Sequence, residues 1–190
     1  MKYKNSILYL LGFPGVGKRT IATEICCQEN FRLFDNHVVN NVVFPFVRVD
    51  DHTKMPEEIW NITRQIREIA LNTLVDIGNR DFNYVFTNQL LHDDADDLEI
   101  YKSVENAAEQ MQSCFVPVRL ICDANENKMR IAKPNREVYL KARRPSLIDE
   151  LQGSKTIEPD HKNTFTLDIT NISAKIAATK ILKEFSNIYK

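Results

Sequence analysis

The chain has 190 residues, of which 43% are hydrophobic and 27% are charged, and its formal net charge is −1. These values are typical of one soluble globular domain, and the near-neutral balance lacks the basic excess that would attract nucleic acid. No apolar run approaches the ~20 residues of a membrane-spanning helix and no leader peptide is evident, so we expect one cytoplasmic domain without nucleic-acid or membrane partners.

Five short apolar segments with the pattern of buried strands alternate with helical patterns. They lie at residues 7–11, 31–34, 84–86, 115–122 and 165–169. Pro117 lies near the start of the fourth segment and favours an edge position or an irregularity there, because proline cannot donate a hydrogen bond to a neighbouring strand. Strands separated by helices predict an α/β fold with a parallel sheet covered on both faces, spanning residues 1–190 as a single domain.

The longest helix is predicted between Pro56, which suits a first helical turn, and Gly78, which suits the end of a helix. Apolar residues recur in it at steps of three to five and predict one apolar face. They are Ile59, Ile62, Ile66, Ile69, Leu74 and Ile77. The acidic run at residues 93–97 is interpreted as the start of the next helix, because carboxylates suit a helix N-terminus.

The segment between the first strand and the first helix has the form of a phosphate-binding loop. Gly12, Gly17 and Lys18 fit the pattern G-x-x-x-x-G-K-S/T, in which backbone N–H groups and a helix N-terminus converge on an anion. Arg19 stands where that pattern has a hydroxyl residue that binds magnesium, and Thr20 comes one place later. The predicted phosphate contacts are Gly12, Pro14, Gly15, Val16, Gly17, Lys18, Arg19 and Thr20.

Polar residues follow the predicted strands, where ligands of open parallel sheets bind. Asp35 is predicted to act as general base or, with Thr20, as a contact for Mg2+, because transfer to a hydroxyl needs a carboxylate and the metal needs oxygen ligands. The alternative is an Asx turn at the strand end. The residues expected to contact an acceptor are Asp35, Asn36, His37, Thr87 and Asn88.

An arginine-bearing segment at about residues 128–150 lies between the fourth and fifth strands. Arginine is planar, multidentate and always charged, so a mobile segment of this kind predicts a lid that neutralises charge in the transition state. The alternative is a solvated basic helix face. The candidate lid residues are Arg130, Arg136, Arg143 and Arg144.

These features together resemble the shikimate kinase-like group of P-loop small-molecule kinases, which is similar in fold to the nucleoside monophosphate kinases. The resemblance implies a five-stranded sheet in the order 2-3-1-4-5, ATP on the phosphate loop, and adenine near Thr170 and Asn171. Shikimate kinases carry a glycine triplet after the third strand, where this chain has Thr87, Asn88 and Gln89. That departure argues against shikimate as the acceptor.

The expected function is transfer of the γ-phosphoryl group of Mg·ATP to a hydroxyl of a small-molecule acceptor, with catalytic roles for Lys18, Asp35, Arg143 and Arg144. A nucleotide-binding regulatory or NTPase module without an acceptor is the main alternative, since Arg19 and the missing glycine triplet depart from the kinases. A toxin-like kinase of sugar nucleotides is a third interpretation. The acceptor, the preference for ATP or GTP and the oligomeric state, monomer or dimer, stay open.

Overall fold

The computed structural model describes residues 3–49, 53, 55–133, 142, 144–151 and 153–189. Its centre is a five-stranded sheet in the order β2-β3-β1-β4-β5, and every pairing is parallel. The strands are β1 (Ser6–Leu11), β2 (Phe31–Asp35), β3 (Asn83–Asn88), β4 (Cys114–Ile121) and β5 (Phe165–Asp168). The predicted fold class and strand order are therefore confirmed.

Helices cover both faces of the sheet. Those in the described residues are α1 (Lys18–Gln28), α2 (Asn36–Asn40), α3 (Glu57–Ile77), α4 (Ala95–Gln110), α5 (Ala124–Ile131), α6 (Ser146–Glu150) and α7 (Ala174–Ile188). A 3-10 helix spans Phe44–Phe46. One apolar cluster joins Leu8 and Leu10 to α1 and α7, and a second joins Tyr9 to α3 and α4. β1 is buried throughout because both clusters meet on it.

The register of the strands brings their carboxyl ends together. Asp35 at the end of β2 pairs with Thr87 in β3, and Thr87 pairs in turn with Leu10 in β1. Thr87 and Asn88, which the sequence placed after the third strand, are its last two residues. The fourth strand likewise begins at Cys114 and ends before Cys122.

Pro117 does not mark an edge strand, because β4 lies between β1 and β5. It pairs with Tyr9 on the β1 side. On the other side, pairing with β5 begins only at Val118. Of the two predicted alternatives, the edge position is therefore wrong. A proline is tolerated in this inner strand because β5 does not yet pair with β4 at residue 117.

The predicted apolar face of α3 is confirmed at Ile59, which is buried, and at Leu74, which packs against the second apolar cluster, but it is wrong at three isoleucines. Ile62, Ile69 and Ile77 are exposed. The buried residues follow a step of four instead and are Ile59, Thr63, Arg67 and Leu71. The helix therefore turns two polar side chains inward, and they line the cleft described below.

The predicted lid contains α5 and α6, which an ion pair of 2.5 Å joins between Lys128 Nζ and Asp149 Oδ1. Arg136 and Arg143 lie outside the described residues. Within the part of the chain that the structure describes, no helix combines the length and apolar character required to cross a membrane.

Candidate active site

Two glycines of the phosphate loop have left-handed backbone angles, with φ of 88° at Gly15 and 95° at Gly17. Gly17 precedes the first residue of α1. A Cβ atom on Gly15 would lie 2.4 Å from Oδ1 of Asn127 in α5. The loop is thus packed directly against α5, and side chains larger than hydrogen do not fit at Gly15. Alternating backbone forms of this kind build the concave N–H surfaces that bind anions.

The Lys18 ammonium lies against the loop itself. Its Nζ atom donates to the carbonyl oxygens of Gly12 at 2.7 Å and Phe13 at 2.9 Å. These contacts hold a point charge at the mouth of the loop, beside the N-terminus of α1. The position agrees with the predicted role in binding outer phosphates.

Asp35 is buried, with 3% of its surface exposed, and both of its carboxylate oxygens are engaged. Arg19 Nη1 lies 2.8 Å from Oδ2, and Thr87 Oγ1 donates to Oδ1 at 2.5 Å. The carboxylate makes no capping bond to α2, so the Asx-turn alternative is not supported. Asp35 instead ties the end of β2 to β3 and to the first turn of α1.

The predicted magnesium contacts do not fit a metal held by the protein. Thr20, in the first turn of α1, lines the cleft but lies one place beyond the hydroxyl position of the pattern. A Mg2+ ion about 2.1 Å from an oxygen of Asp35 would lie close to the guanidinium of Arg19, and like charges repel. Among the described residues, no group of three or more His, Cys, Asp and Glu side chains is placed to hold a metal ion.

Arg130 connects the phosphate loop to the turn after β5. Its guanidinium donates to the carbonyl oxygens of Val16 at 3.5 Å and Ile169 at 3.1 Å, and its Nε atom pairs with Glu126 at 2.7 Å. Thr170 Oγ1 accepts a bond of 2.8 Å from the Asp123 amide in the same region. Arg130 therefore joins the phosphate loop, α5 and the turn after β5 by several contacts.

The other described lid candidate is held locally. Arg144 Nη2 donates to Glu150 Oε2 at 3.0 Å, and Nη1 also contacts Glu150 and Ser146. Both partners belong to α6, which Arg144 precedes. The catalytic role assigned to Arg144 from sequence stays a prediction, and it requires this ion pair to open.

A second cation, Arg67 on α3, lines the same cleft as the phosphate loop. Arg67 is 7% exposed, and its Nη2 atom donates to Asn36 Oδ1 at 2.7 Å. Within the described part of the chain, no carboxylate forms an ion pair with it at 4 Å or less. Burial lowers the pKa of Arg67, and the buried Tyr9 hydroxyl nearby has no hydrogen-bond partner among the described residues. A guanidinium nevertheless stays protonated in proteins.

One cleft of about 1270 Å³ contains both cationic regions. The predicted acceptor residues Asp35, Asn36, His37, Thr87 and Asn88 all line it. Sequence reasoning missed the residues contributed by α3 and α4. They are Trp60, Thr63, Arg64, Arg67, Asp96, Asp97 and Ile100. The step of four from Ile59 to Leu71, which has polar residues in the middle, is the signal that could have revealed the α3 members.

Asp97, which the sequence assigned only to a helix start, lines the same cleft as Arg67. Its Oδ2 atom accepts a bond of 2.7 Å from the Leu91 amide. Asp94, not Asp97, caps α4 by accepting from the amides of Asp96 and Asp97. Burial is the main cause that raises the pKa of Asp97 to about 6 from an ordinary value of 3.8.

Replacing Asp97 with asparagine is expected to stabilise the protein at pH 7.5 and to have less effect near pH 4. Between pH 3.8 and about 6 the folded chain binds more protons at Asp97 than the unfolded chain, so wild-type stability falls as pH rises through that window. Because this group is half-exposed, removing its charge should raise the free energy of unfolding by about 1 kcal/mol. The melting temperature should rise by about 2–4 °C. Thermal melts from pH 4 to 8 measure the difference, with Asp93→Asn as control, and a gain that does not depend on pH would contradict the interpretation.

Neither a protein-family model nor a curated protein sequence matches the chain. Solved structures match over nearly its full length. A candidate kinase from Chloroflexus aurantiacus J-10-fl has 13% identity and a TM-score of 0.66, with 97% of this chain and 98% of that chain covered. A sugar kinase from Janibacter sp. HTCC2649 has 16% identity and a TM-score of 0.60, with 98% and 99% covered. A gluconokinase from Sinorhizobium meliloti 1021 has 11% identity and a TM-score of 0.60, with 97% of this chain and 94% of that chain covered. The chain therefore has the α/β fold of the P-loop kinases.

Proposed function

We propose that this protein is a kinase that transfers the γ-phosphoryl group of ATP to a hydroxyl of a small acceptor carrying an anionic group. The observation that carries the proposal is the placement of two cationic regions in one cleft, the phosphate loop with Lys18 and the buried Arg67, with Asp35 lining the same cleft. The similarity to a sugar kinase and to a gluconokinase supports phosphoryl transfer to a small molecule.

The nucleotide is assigned to the end of the cleft formed by the loop, α5 and the turn after β5. Lys18 and the loop amides would hold the outer phosphates. Thr170 and Asn171 would lie near the base, and the contacts of Arg130 to Val16 and Ile169 join the two regions. Transfer through a loose transition state depends mainly on such positioning and on neutralised charge.

The acceptor is assigned to the other end, between α2, α3 and the end of β3. A buried guanidinium that donates to a neutral amide and is attracted by the Asp97 carboxylate only at longer range is costly, and an anionic group on the acceptor would compensate its charge directly. A carboxylate or phosphate matches the planar donor geometry of arginine. Trp60 and Phe44, whose rings lie 6.1 Å apart, supply an apolar wall.

Asp35 is assigned the orientation of the acceptor hydroxyl and the acceptance of its proton. A carboxylate has about four acceptor positions, so bonds from Arg19 and Thr87 leave room for a neutral hydroxyl. Replacing Asp35 with asparagine keeps the shape and an acceptor for Arg19 but removes the base. We expect phosphoryl transfer to fall by about 100-fold or more, as general-base contributions do, while the Kd for nucleotide changes little. Wild-type turnover in this variant would contradict the base assignment.

The proposal is tested by ADP release from Mg·ATP with acceptors in matched pairs. Each pair differs only in the anionic group, for example a polyol acid and its polyol, or a nucleotide and its nucleoside, with sugar nucleotides included. Stimulation by the anionic member of a pair is the expected result. An ATPase rate that no acceptor of the panel raises would favour a nucleotide-binding module, and preference for the neutral members would contradict the role of Arg67.

A further inference from the structure

We propose that the phosphate loop holds no magnesium ion through protein side chains, and that the Arg19 guanidinium, fixed by Asp35, takes the place of that ion beside the nucleotide phosphates. The inference rests on the proposed nucleotide binding and adds to it. It concerns the one residue at which the loop departs from the pattern G-x-x-x-x-G-K-S/T. In that pattern the final hydroxyl binds the metal.

Arg19 has the location that this role requires. It directly follows Lys18 in the first turn of α1, where the helix N-terminus favours anions. About a third of its side chain is exposed, and it lines the cleft next to the loop. A guanidinium has five N–H donors in a rigid plane, so a bond to Asp35 and a bond to a phosphate oxygen are compatible.

The contacts of Asp35 explain why the guanidinium stays there. The carboxylate is 4% exposed in its side chain and lies 2.8 Å from Arg19 Nη1, while Thr87 fixes its second oxygen. An ion pair with one buried member and an additional hydrogen bond is held in one geometry more firmly than an exposed pair. Asp35 thus pre-positions a cation at the strand ends and neutralises the carboxylate that a metal would otherwise use.

The same contacts make a metal at this point unfavourable. A divalent ion on Asp35 would compete with Arg19 for the carboxylate, and the guanidinium of Arg19 would repel the ion. Thr20 lines the cleft but lies one place beyond the pattern position, so the missing hydroxyl is not restored at that position. Positive charge is therefore supplied at this place by the chain. Magnesium that arrives with ATP would depend on phosphate and water ligands.

The test is the Kd of ADP and of ATP for the full-length protein, measured by calorimetry in excess Mg2+ and in EDTA. For the wild type we expect values that agree within about threefold. Arg19→Thr restores the hydroxyl of the pattern and releases Asp35. In EDTA this variant should bind at least about tenfold more weakly, as loss of a charged hydrogen bond predicts, and Mg2+ should recover much of that loss.

Two further variants keep the test decisive. They are needed because Arg19→Thr removes the cation that pairs with the buried Asp35 carboxylate, which is expected to lower the stability of the protein. Thermal melts therefore accompany every binding measurement. The double variant Arg19→Thr/Asp35→Asn removes both charges, and we expect weak binding that Mg2+ no longer recovers. The exposed Arg32→Thr on β2 is the matched control and should bind as the wild type does.

The outcomes separate this inference from the proposed function. A wild-type Kd that rises tenfold or more on removal of Mg2+, with the same dependence in Arg19→Thr, would overturn the role of Arg19 and leave the kinase proposal standing. Absence of nucleotide binding in both conditions would overturn both. A magnesium requirement that appears only after Arg19 is replaced would support the inference.

Discussion

Replacing Lys18 with alanine is expected to lower phosphoryl transfer by at least about 100-fold, the usual cost of removing one fixed donor to the charge that develops in a transition state. The Nζ atom lies against the carbonyl oxygens of Gly12 and Phe13, and its charge therefore sits within the loop. Lys128 in α5 is held in an ion pair with Asp149 and therefore does not replace it.

The loss at Lys18 should appear in kcat/KM for ATP, measured by ADP release at saturating acceptor. Lys183→Ala on the exposed side of α7 is the control and should keep wild-type rates. Thermal melts should show little change for either variant, because Lys18 is partly exposed and its ammonium donates to the loop carbonyls of Gly12 and Phe13 rather than packing in the core. A Lys18→Ala rate within a few-fold of the wild type would show that the loop does not act on transferred phosphate.

Replacing Arg67 with methionine is expected to raise the KM for the acceptor by about 10- to 100-fold, the cost of losing a charge-assisted hydrogen bond at a buried site. The KM for ATP should change little, because Arg67 lies in α3 on the acceptor side. Methionine fills a similar volume, and replacing a buried charge by an apolar side chain is often neutral for stability. The variant should therefore fold, despite the loss of the bond to Asn36.

Arg64→Met gives a matched comparison on the same helix. Arg64 is more exposed and already pairs with Asp96 at 2.9 Å, so its loss should raise the acceptor KM by less. The two variants are compared with the anionic and neutral members of one acceptor pair. If Arg67→Met used the anionic acceptor as well as the wild type does, the assignment of an anionic group to this end of the cleft would be wrong.

Much of the fold and the conformation of the loop between β1 and α1 followed from the sequence, because the signals there are local. The strand, the glycines at 12, 15 and 17 and Lys18 are adjacent in the chain, so one short pattern predicts how they fold. The alternation of strands and helices predicted the parallel sheet. The resemblance to P-loop kinases implied the strand order, which the structure confirms.

The acceptor end depends on contacts between distant segments, which the sequence did not reveal. Asp35 was placed correctly at the end of β2, but its pairing with Arg19 and Thr87 depends on the register of three strands and the first turn of α1. Arg67 was missed because the isoleucines of α3 predicted the wrong buried face. A helix that borders a polar cleft can bury arginine and leave isoleucine exposed, and hydrophobic periodicity then fails.

The central claim is tested most directly by mass spectrometry of the acceptor after incubation with the protein and Mg·ATP. The account predicts one added phosphoryl group on a hydroxylated, anionic acceptor, with an equal amount of ADP released and with both products reduced together in Lys18→Ala. Release of ADP and inorganic phosphate in equal amounts, with every acceptor of the panel unmodified, would contradict it.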